Sequence, residues 1–256
     1  MIGWLKEKTI SLVEKHPYGY ALGLAILESN PIFLPHESDF HGMLLVAGNR
    51  TGLFLDVGAN RGHSALGFHK IMPGWCIFSI EANPLHKLRL ESLKQRHSFF
   101  DYRIAAADRV SGQSVTIWTP RYGRIYCHSA AAIDHAEAVR AVRMSFPAQS
   151  PYFEYVPQET STLALDDLNL APQIIKMDIQ GNELAALYGL AATIRRHRPS
   201  FLIECSLEGD DIFKAMRNLE YEPYSYDRGR NCLIRATQAS IKGRNVFFIP
   251  AERAPC

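Results

Sequence analysis

Apolar positions along the chain change their period near residue 53. Before it, Leu5, Thr9, Leu12 and Val13 recur at helical spacing until Pro17 and Gly19 interrupt them. A second apolar piece follows, then Pro31, Pro35 and a short polar stretch. Residues 1–50 read as an N-terminal helical extension, suited to a lid, a dimer arm or plain packing. Beyond it, short apolar runs predict strands at 53–57, 76–80, 100–105, 114–118, 174–177, 201–205 and 246–249. Between them, helical periodicity predicts helices at 62–71, 85–96, 183–196 and 212–219, with Pro84 placed where a first helical turn tolerates it. Such alternation predicts an α/β fold, a largely parallel sheet with helices on both faces. Residues 120–160 break the rhythm with aromatics, His128 and His135, Pro147, Pro151 and Pro157, and a short alanine-rich helical piece. An insertion of that length in a compact fold is usually functional or disordered.

Composition narrows the class. At roughly 150 residues per domain, 256 residues mean one or two domains. Charges nearly cancel, 28 Lys and Arg against 26 Asp and Glu, which argues against a dedicated nucleic-acid binder. Five widely spaced cysteines with no C-x-x-C disfavour a disulfide framework and a cysteine-ligated metal, and fit a reducing cytoplasm. The most apolar early stretch, Tyr20 to Leu27, falls far short of the ~20 residues that insertion into a membrane needs.

The most specific local pattern is D-V-G-A-N-R-G, Asp56 to Gly62, at the end of the first predicted strand. Gly58 and Gly62 let the backbone turn tightly and approach a ligand at a helix N-terminus. A dinucleotide loop needs G-x-G-x-x-G, and Asn60 stands where the second glycine belongs. Asp56, just ahead of the first glycine, would repel a pyrophosphate but favour a cationic ligand bearing an amino acid. S-adenosylmethionine is such a ligand. About 20 residues on, Glu81 ends the second strand, where a carboxylate can accept hydrogen bonds from two ribose hydroxyls. Asp108, after three small alanines, is placed to meet an adenine amino group or to cap a turn before Gly112. Later, Lys176 and Asp178 lie two apart on a strand and so share one face, which opens towards the crevice at the strand's C-terminal end. Gly181 and Glu183 then turn the chain into a helix, and Glu204 ends the next strand.

Together these segments resemble the FkbM family of methyltransferases. The residues that carry the resemblance are the Asp56–Gly62 loop, Glu81 with Pro84, L-D-D-L at 165–168, K-M-D-I-Q-G-N-E-L at 176–184, and Pro199 with Glu204. One departure is Gln180, where the family usually carries glutamate. The resemblance implies a class I (Rossmann-like) methyltransferase domain over 51–256, its seven-stranded, mostly parallel sheet ending in an antiparallel strand. It also implies methyl transfer from S-adenosylmethionine to a hydroxyl of a small-molecule acceptor, commonly sugar- or polyketide-like. In that frame Asp56, Gly58, Asn60 and Gly62 cradle the methionine part of the cofactor, Glu81 its ribose and Asp108 its base. Asp178, supported by Lys176, orients or deprotonates the acceptor, with His128 as the reserve base, while 120–160 and the N-terminal extension shape the acceptor pocket. A nicotinamide-dependent oxidoreductase and a silent cofactor-binding protein of the same fold are the competing classes; Gln180 keeps the latter open.

Overall fold

The computed structural model describes residues 16–29, 39–48, 51–205, 209–237 and 244–254. The helical spacing at residues 5–13 and the prolines at 31 and 35 lie outside the described residues. The chain divides into two compact units, one of Leu34–Ser114 with Ser161–Cys256 and a smaller one of Met1–Phe33 with Val115–Thr160.

The larger unit carries the predicted α/β alternation. Its strands are β1 (Leu53–Val57), β2 (Cys76–Glu81), β3 (Phe100–Ile104), the short β4 (Ala106–Ala107), β8 (Ile174–Met177), β9 (Ser200–Cys205), β10 (Tyr221–Asp227), β11 (Cys232–Arg235) and β12 (Arg244–Pro250). Its helices are α2 (Phe40–Ala47), α3 (His63–Ile71), α4 (Lys87–Arg96), α6 (Glu183–Tyr188), α7 (Ala191–His197) and α8 (Gly209–Asn218). The main sheet runs β11-β10-β12-β9-β8-β1-β2-β3. Pairings from β3 through β9 are parallel, whereas β12 is antiparallel to β9 and β10, and β11 is antiparallel to β10.

The sheet is therefore mixed and eight-stranded among the described residues, not seven-stranded. The extra edge comes from the β10–β11 hairpin, closed by a turn in which Asp227 Oδ1 accepts the amides of Gly229 and Arg230 at 2.8 and 3.1 Å. Pro223 and a polar alternation hide β10 from an apolar-run reading.

Period-two alternation divides the buried side chains between two faces. Leu55, Val57, Ile175, Met177, Phe201 and Ile203 meet Ala186, Leu187, Ile194, Ile212 and Met216 from α6, α7 and α8. Phe54, Ile77, Ile174, Leu202 and Phe247 meet Phe40, Met43, Ala65, Phe68, Leu90 and Leu93 from α2, α3 and α4. Helices thus cover both faces. The helix expected at 183–196 is broken at Gly189, where a Cβ would lie 2.0 Å from the Asp108 carbonyl oxygen. That close approach lets the Gly189 carbonyl accept the Asp166 amide at 2.8 Å.

The smaller unit contains α1 (Pro17–Ser29), β5 (Ser114–Tyr122), β6 (Ile125–Tyr126), α5 (His135–Ser145) and most of β7 (Glu154–Leu163). β5 and β6 form a hairpin with Tyr122 opposite Ile125. Asp134 caps α5 by accepting the Ala136 amide at 2.6 Å. A small core of Cys127, Ala130, Val142, Phe146 and Phe153 lies within the unit. Residues 120–160 are thus folded into regular elements. β7 escapes an apolar reading because its residues up to Ser161 are exposed or half-buried, and the buried Thr162 is polar.

Candidate active site at the strand ends

Parallel register places a polar row across the larger unit's sheet. Asp56 on β1 lies opposite Ser79 on β2 and Lys176 on β8. Residues paired across a parallel ladder share a face, so the three side chains converge. Asp56 is fully buried, and its Oδ2 accepts the hydroxyls of Ser64 at 2.5 Å and Ser79 at 3.3 Å. Its Oδ1 is buried with no hydrogen-bond partner among the described residues. Burial raises the Asp56 carboxyl, while Lys176 and the two serines oppose that rise.

The loop after β1 is shaped by close approach. Gly58 has φ +92°, and a Cβ there would lie 1.8 Å from the Asp178 carbonyl oxygen. The glycine is required by the neighbouring main chain, so the end of β1 and the end of β8 touch at this point. Gly62, at φ +83°, would drive a Cβ to 2.3 Å from Leu93 Cδ1. Asn60 takes a left-handed φ of 49° that points its amide at Glu81.

Glu81 is buried, and both its oxygens are held by main chain. Oε2 accepts the Asn60 amide at 2.6 Å and Oε1 the Asn83 amide at 2.8 Å. Each oxygen keeps a further lone pair for a hydroxyl donor. Burial pushes its carboxyl up to about 7, against the pull of those two amides. Three further loop amides are engaged: Gly58 and Ala59 donate to the Ile80 carbonyl and Gly62 to the Ala59 carbonyl. With those amides turned inward, the loop offers carboxylates where a dinucleotide site would offer N–H groups to a pyrophosphate.

The second half of the site lies beyond β8 and β9. Lys176, 4% exposed, bonds Asp178 Oδ2 at 3.0 Å. Gln180, at φ +58°, donates its amide to Asp178 Oδ1 at 2.9 Å and to Glu204 Oε2 at 2.8 Å. Glu183 reaches back to accept the amides of Ile179 and Gly181, and Asn182 donates to the Ala107 carbonyl at 2.7 Å, so the loop is pinned at both ends. Burial would raise Asp178, but the Lys176 charge, with hydrogen bonds from Glu204, Lys176 and Gln180, brings it below its ordinary value. Glu204 goes the other way, to about 8, through burial, the Asp178 charge and a hydrogen bond with that carboxyl. The two carboxyls are thus pushed in opposite directions, Asp178 towards the anion and Glu204 towards the acid.

The family whose description is Methyltransferase FkbM domain matches residues 56–226, which is more than half of the chain. The chain belongs to that family. This FkbM-domain chain is similar in fold to the methyltransferase FkbM from Methylobacillus flagellatus KT, with 17% identity and a TM-score of 0.51. The match covers 94% of this chain and 57% of that one, so the FkbM-domain chain spans little more than half of that structure's length. It is also similar to precorrin-6y C5,15-methyltransferase from Geobacter metallireducens GS-15, with 13% identity, a TM-score of 0.41, and coverage of 84% and 87%. No curated protein matches the chain.

Of the residues singled out from sequence, the fold of the FkbM domain brings Asp56, Gly58, Asn60, Glu81, Lys176 and Asp178 together along the strand ends. Asp108 follows β4, and its carboxylate accepts the Arg109 amide at 2.5 Å. His128 belongs to the smaller unit, in the turn His128–Ala130, with its ring 5.9 Å from that of Tyr126. Residues not anticipated for the site are Ser64, Ser79, Asn83 and the bridging Gln180. Ser79 carried a usable signal, since it lies two before Glu81 and so shares its face. Among the described residues no helix is long and apolar enough to cross a membrane.

Proposed function

We propose that the chain is an S-adenosylmethionine-dependent O-methyltransferase acting on a hydroxyl of a small molecule, a sugar, glycoconjugate or polyketide-like product. The observation that carries this reading is Glu81, buried, with each oxygen anchored by one main-chain amide beside the Asp56–Gly62 loop. Family membership supports methyl transfer, and the donor set fits the cofactor. Glu81 offers lone pairs to two ribose hydroxyls, while Asp56 and Asp178 add negative charge that favours a sulfonium over a pyrophosphate.

When bound, the cofactor supplies a methyl group already activated for transfer. The protein's part is to align an acceptor oxygen with that methyl, exclude water and receive the hydroxyl proton. Asp178, kept ionised by Lys176, accepts a hydrogen bond from the hydroxyl and turns an oxygen lone pair towards the methyl. Residues 120–160 govern which acceptor is taken.

The test has two arms. S-adenosylhomocysteine is expected to raise the melting temperature where NAD does not. Labelled S-adenosylmethionine is then offered with a panel of methyl glycosides and hydroxylated macrolactones, and transfer to at least one is expected. Stabilisation by NAD alone would overturn the cofactor assignment; stabilisation by S-adenosylhomocysteine with no transfer would overturn the O-methyl assignment.

A further inference from the structure

The site holds two carboxyl groups within reach of one amide, and they differ in what surrounds them. Asp178 has Lys176 on Oδ2 and Gln180 on Oδ1. Glu204 bonds Gln180 and Asp178 and has no ion pair among the described residues. An acceptor hydroxyl that meets the pair therefore finds one anion whose charge is already matched and one carboxyl whose charge is not.

We propose that Glu204 takes the proton of the acceptor hydroxyl, that Asp178 holds the hydroxyl in line, and that Gln180 positions the two carboxyl groups against each other. This rests on the methyltransferase reading above and specifies which group does which part. The acceptor oxygen forms the new C–O bond to the methyl as the C–S bond breaks and its electron pair stays on sulfur. The O–H proton passes to a Glu204 oxygen. The sulfonium charge and the Glu204 charge vanish together, leaving a thioether, a methyl ether and a neutral carboxylic acid.

The partners decide between the two carboxylates: Asp178 is ion-paired with Lys176 at 3.0 Å, whereas Glu204 meets the uncharged Gln180 amide at 2.8 Å. A carboxylate ion-paired with Lys176 and held below its ordinary range is a weak proton acceptor, whereas one without an ion pair and pushed up to about 8 takes a proton more readily. The same property means that Glu204 must first lose its resting proton, so the reaction accelerates as pH rises towards 8. The groups acting on it come from each neighbouring element. Asp178 and Lys176 come from β8 and its loop and Glu183 from α6. On β12 its register partner is Asn245, an uncharged amide whose own side chain donates to Asp39. Asp178 and Glu183 hold Glu204 up and Lys176 opposes them.

The experiment follows kcat/KM against pH for the parent, Glu204→Gln, Asp178→Asn and Gln180→Met, using labelled S-adenosylmethionine and the best methyl glycoside or macrolactone of the panel. S-adenosylhomocysteine affinity is measured alongside. For the parent, log kcat/KM is expected to climb with unit slope and level near pH 8. Glu204→Gln is expected to lose that inflection and at least a hundredfold in rate, with S-adenosylhomocysteine affinity within about threefold. Asp178→Asn is expected to keep the inflection but move it to lower pH, because the charge that raises Glu204 is gone. Gln180→Met is expected to move it higher, because an amide that stabilises both anions is gone. A readout without turnover accompanies these. Between pH 7 and 8 the parent is expected to lose stability through deprotonation of Glu204, and Glu204→Gln to lose correspondingly less.

A Glu204→Gln variant that keeps the parent's rate and pH profile overturns the assignment, as does an unchanged stability slope in that variant. Absence of transfer by the parent, with S-adenosylhomocysteine bound, overturns the hydroxyl reading and this inference with it. Loss of turnover in Glu204→Gln together with loss of S-adenosylhomocysteine binding overturns the division between base and cofactor site alone.

Discussion

Two carboxyl regions face each other across the ends of β1, β2, β8 and β9, and they are held by different kinds of donor. Glu81 is gripped by main-chain amides of Asn60 and Asn83. Asp178 and Glu204 are gripped by side chains, the Lys176 ammonium and the Gln180 amide. Burial raises both, Glu81 to about 7 and Glu204, with the Asp178 charge adding to it, to about 8. What differs is whether the partners can move. An amide belonging to a loop cannot turn away without unfolding the loop, so Glu81 presents the same acceptors throughout. Gln180 is an exposed side chain that can change rotamer, so the second region can readjust when a proton arrives. Fixed donors suit a ligand that is held unchanged; movable donors suit a group that changes charge during turnover.

The sharpest way to break the comparison is to push the two regions apart. Gly58 is where they touch, since its absent Cβ is what admits the Asp178 carbonyl. Gly58→Ala combines a positive φ that alanine resists with a collision against main chain, which cannot swing aside. A stability loss of ~3 kcal/mol or more is expected by chemical denaturation. S-adenosylhomocysteine binding and transfer are expected to fall together, as neither region can be displaced alone. A variant as stable as the parent would show that the β1 and β8 loops are free to separate.

Next in size is the removal of the cation from the movable region. Lys176→Met leaves Asp178 without its charged partner and uncovers Asp56, on which Lys176 also acts. Breaking a fully buried pair costs about 3–5 kcal/mol; with Asp178 30% exposed, ~2–3 kcal/mol is expected. The sign with pH is informative. In the parent Asp178 is depressed, so its contribution is present above its ordinary carboxylate value and lost as pH falls. In Lys176→Met that contribution is gone, and the variant is expected to approach the parent's stability as pH falls below 3.8. A constant difference at all pH values would mean that Lys176 contributes packing and not charge.

Much of this arrangement was legible before any fold was known. Period-two strands place Lys176 and Asp178 on one face, and the glycine-containing turns mark the strand ends, so Asp56, Glu81, Lys176 and Asp178 were all recoverable. The Glu204–Gln180–Asp178 bridge was not. It depends on β9 lying beside β8 and on a left-handed φ at Gln180, a conformation that glutamine rarely advertises. Gly58 was read as making room for a ligand, whereas the contact that requires it is the Asp178 carbonyl. The β10–β11 hairpin and β7 were invisible for another reason. β7 and β11 are half-exposed, and in β10 Glu222, Pro223 and Ser225 interrupt the tyrosines, so no apolar run is left to find.

The fixed region yields the smallest expected effects and the clearest sign. Glu81→Ala removes a charge-assisted acceptor and is expected to weaken S-adenosylhomocysteine by ten- to a hundredfold, ~1.5–3 kcal/mol, in a variant whose folding is checked by its melting curve. The pH dependence of the parent then tests the same contact without mutation. Glu81 is raised in the free protein, so its contribution to stability is present below its ordinary value of 4.5 and is lost as pH rises through about 7. Ribose hydroxyls donate hydrogen bonds and so favour the ionised form. Ligand affinity must therefore rise with pH over the window in which the free protein loses stability. Below about 7 the affinity is expected to fall by up to tenfold per pH unit, and above it to level off. Glu204 is raised over an overlapping range, but the role proposed for it is towards the acceptor. The affinity slope is therefore expected to persist in Glu204→Gln and to disappear in Glu81→Ala. Calorimetric titrations with S-adenosylhomocysteine between pH 5.5 and 8.5 decide the matter. A flat profile in the parent would mean that Glu81 binds the ligand as a neutral acid, and the contrast between a fixed anion and a movable one would fail at its simpler end.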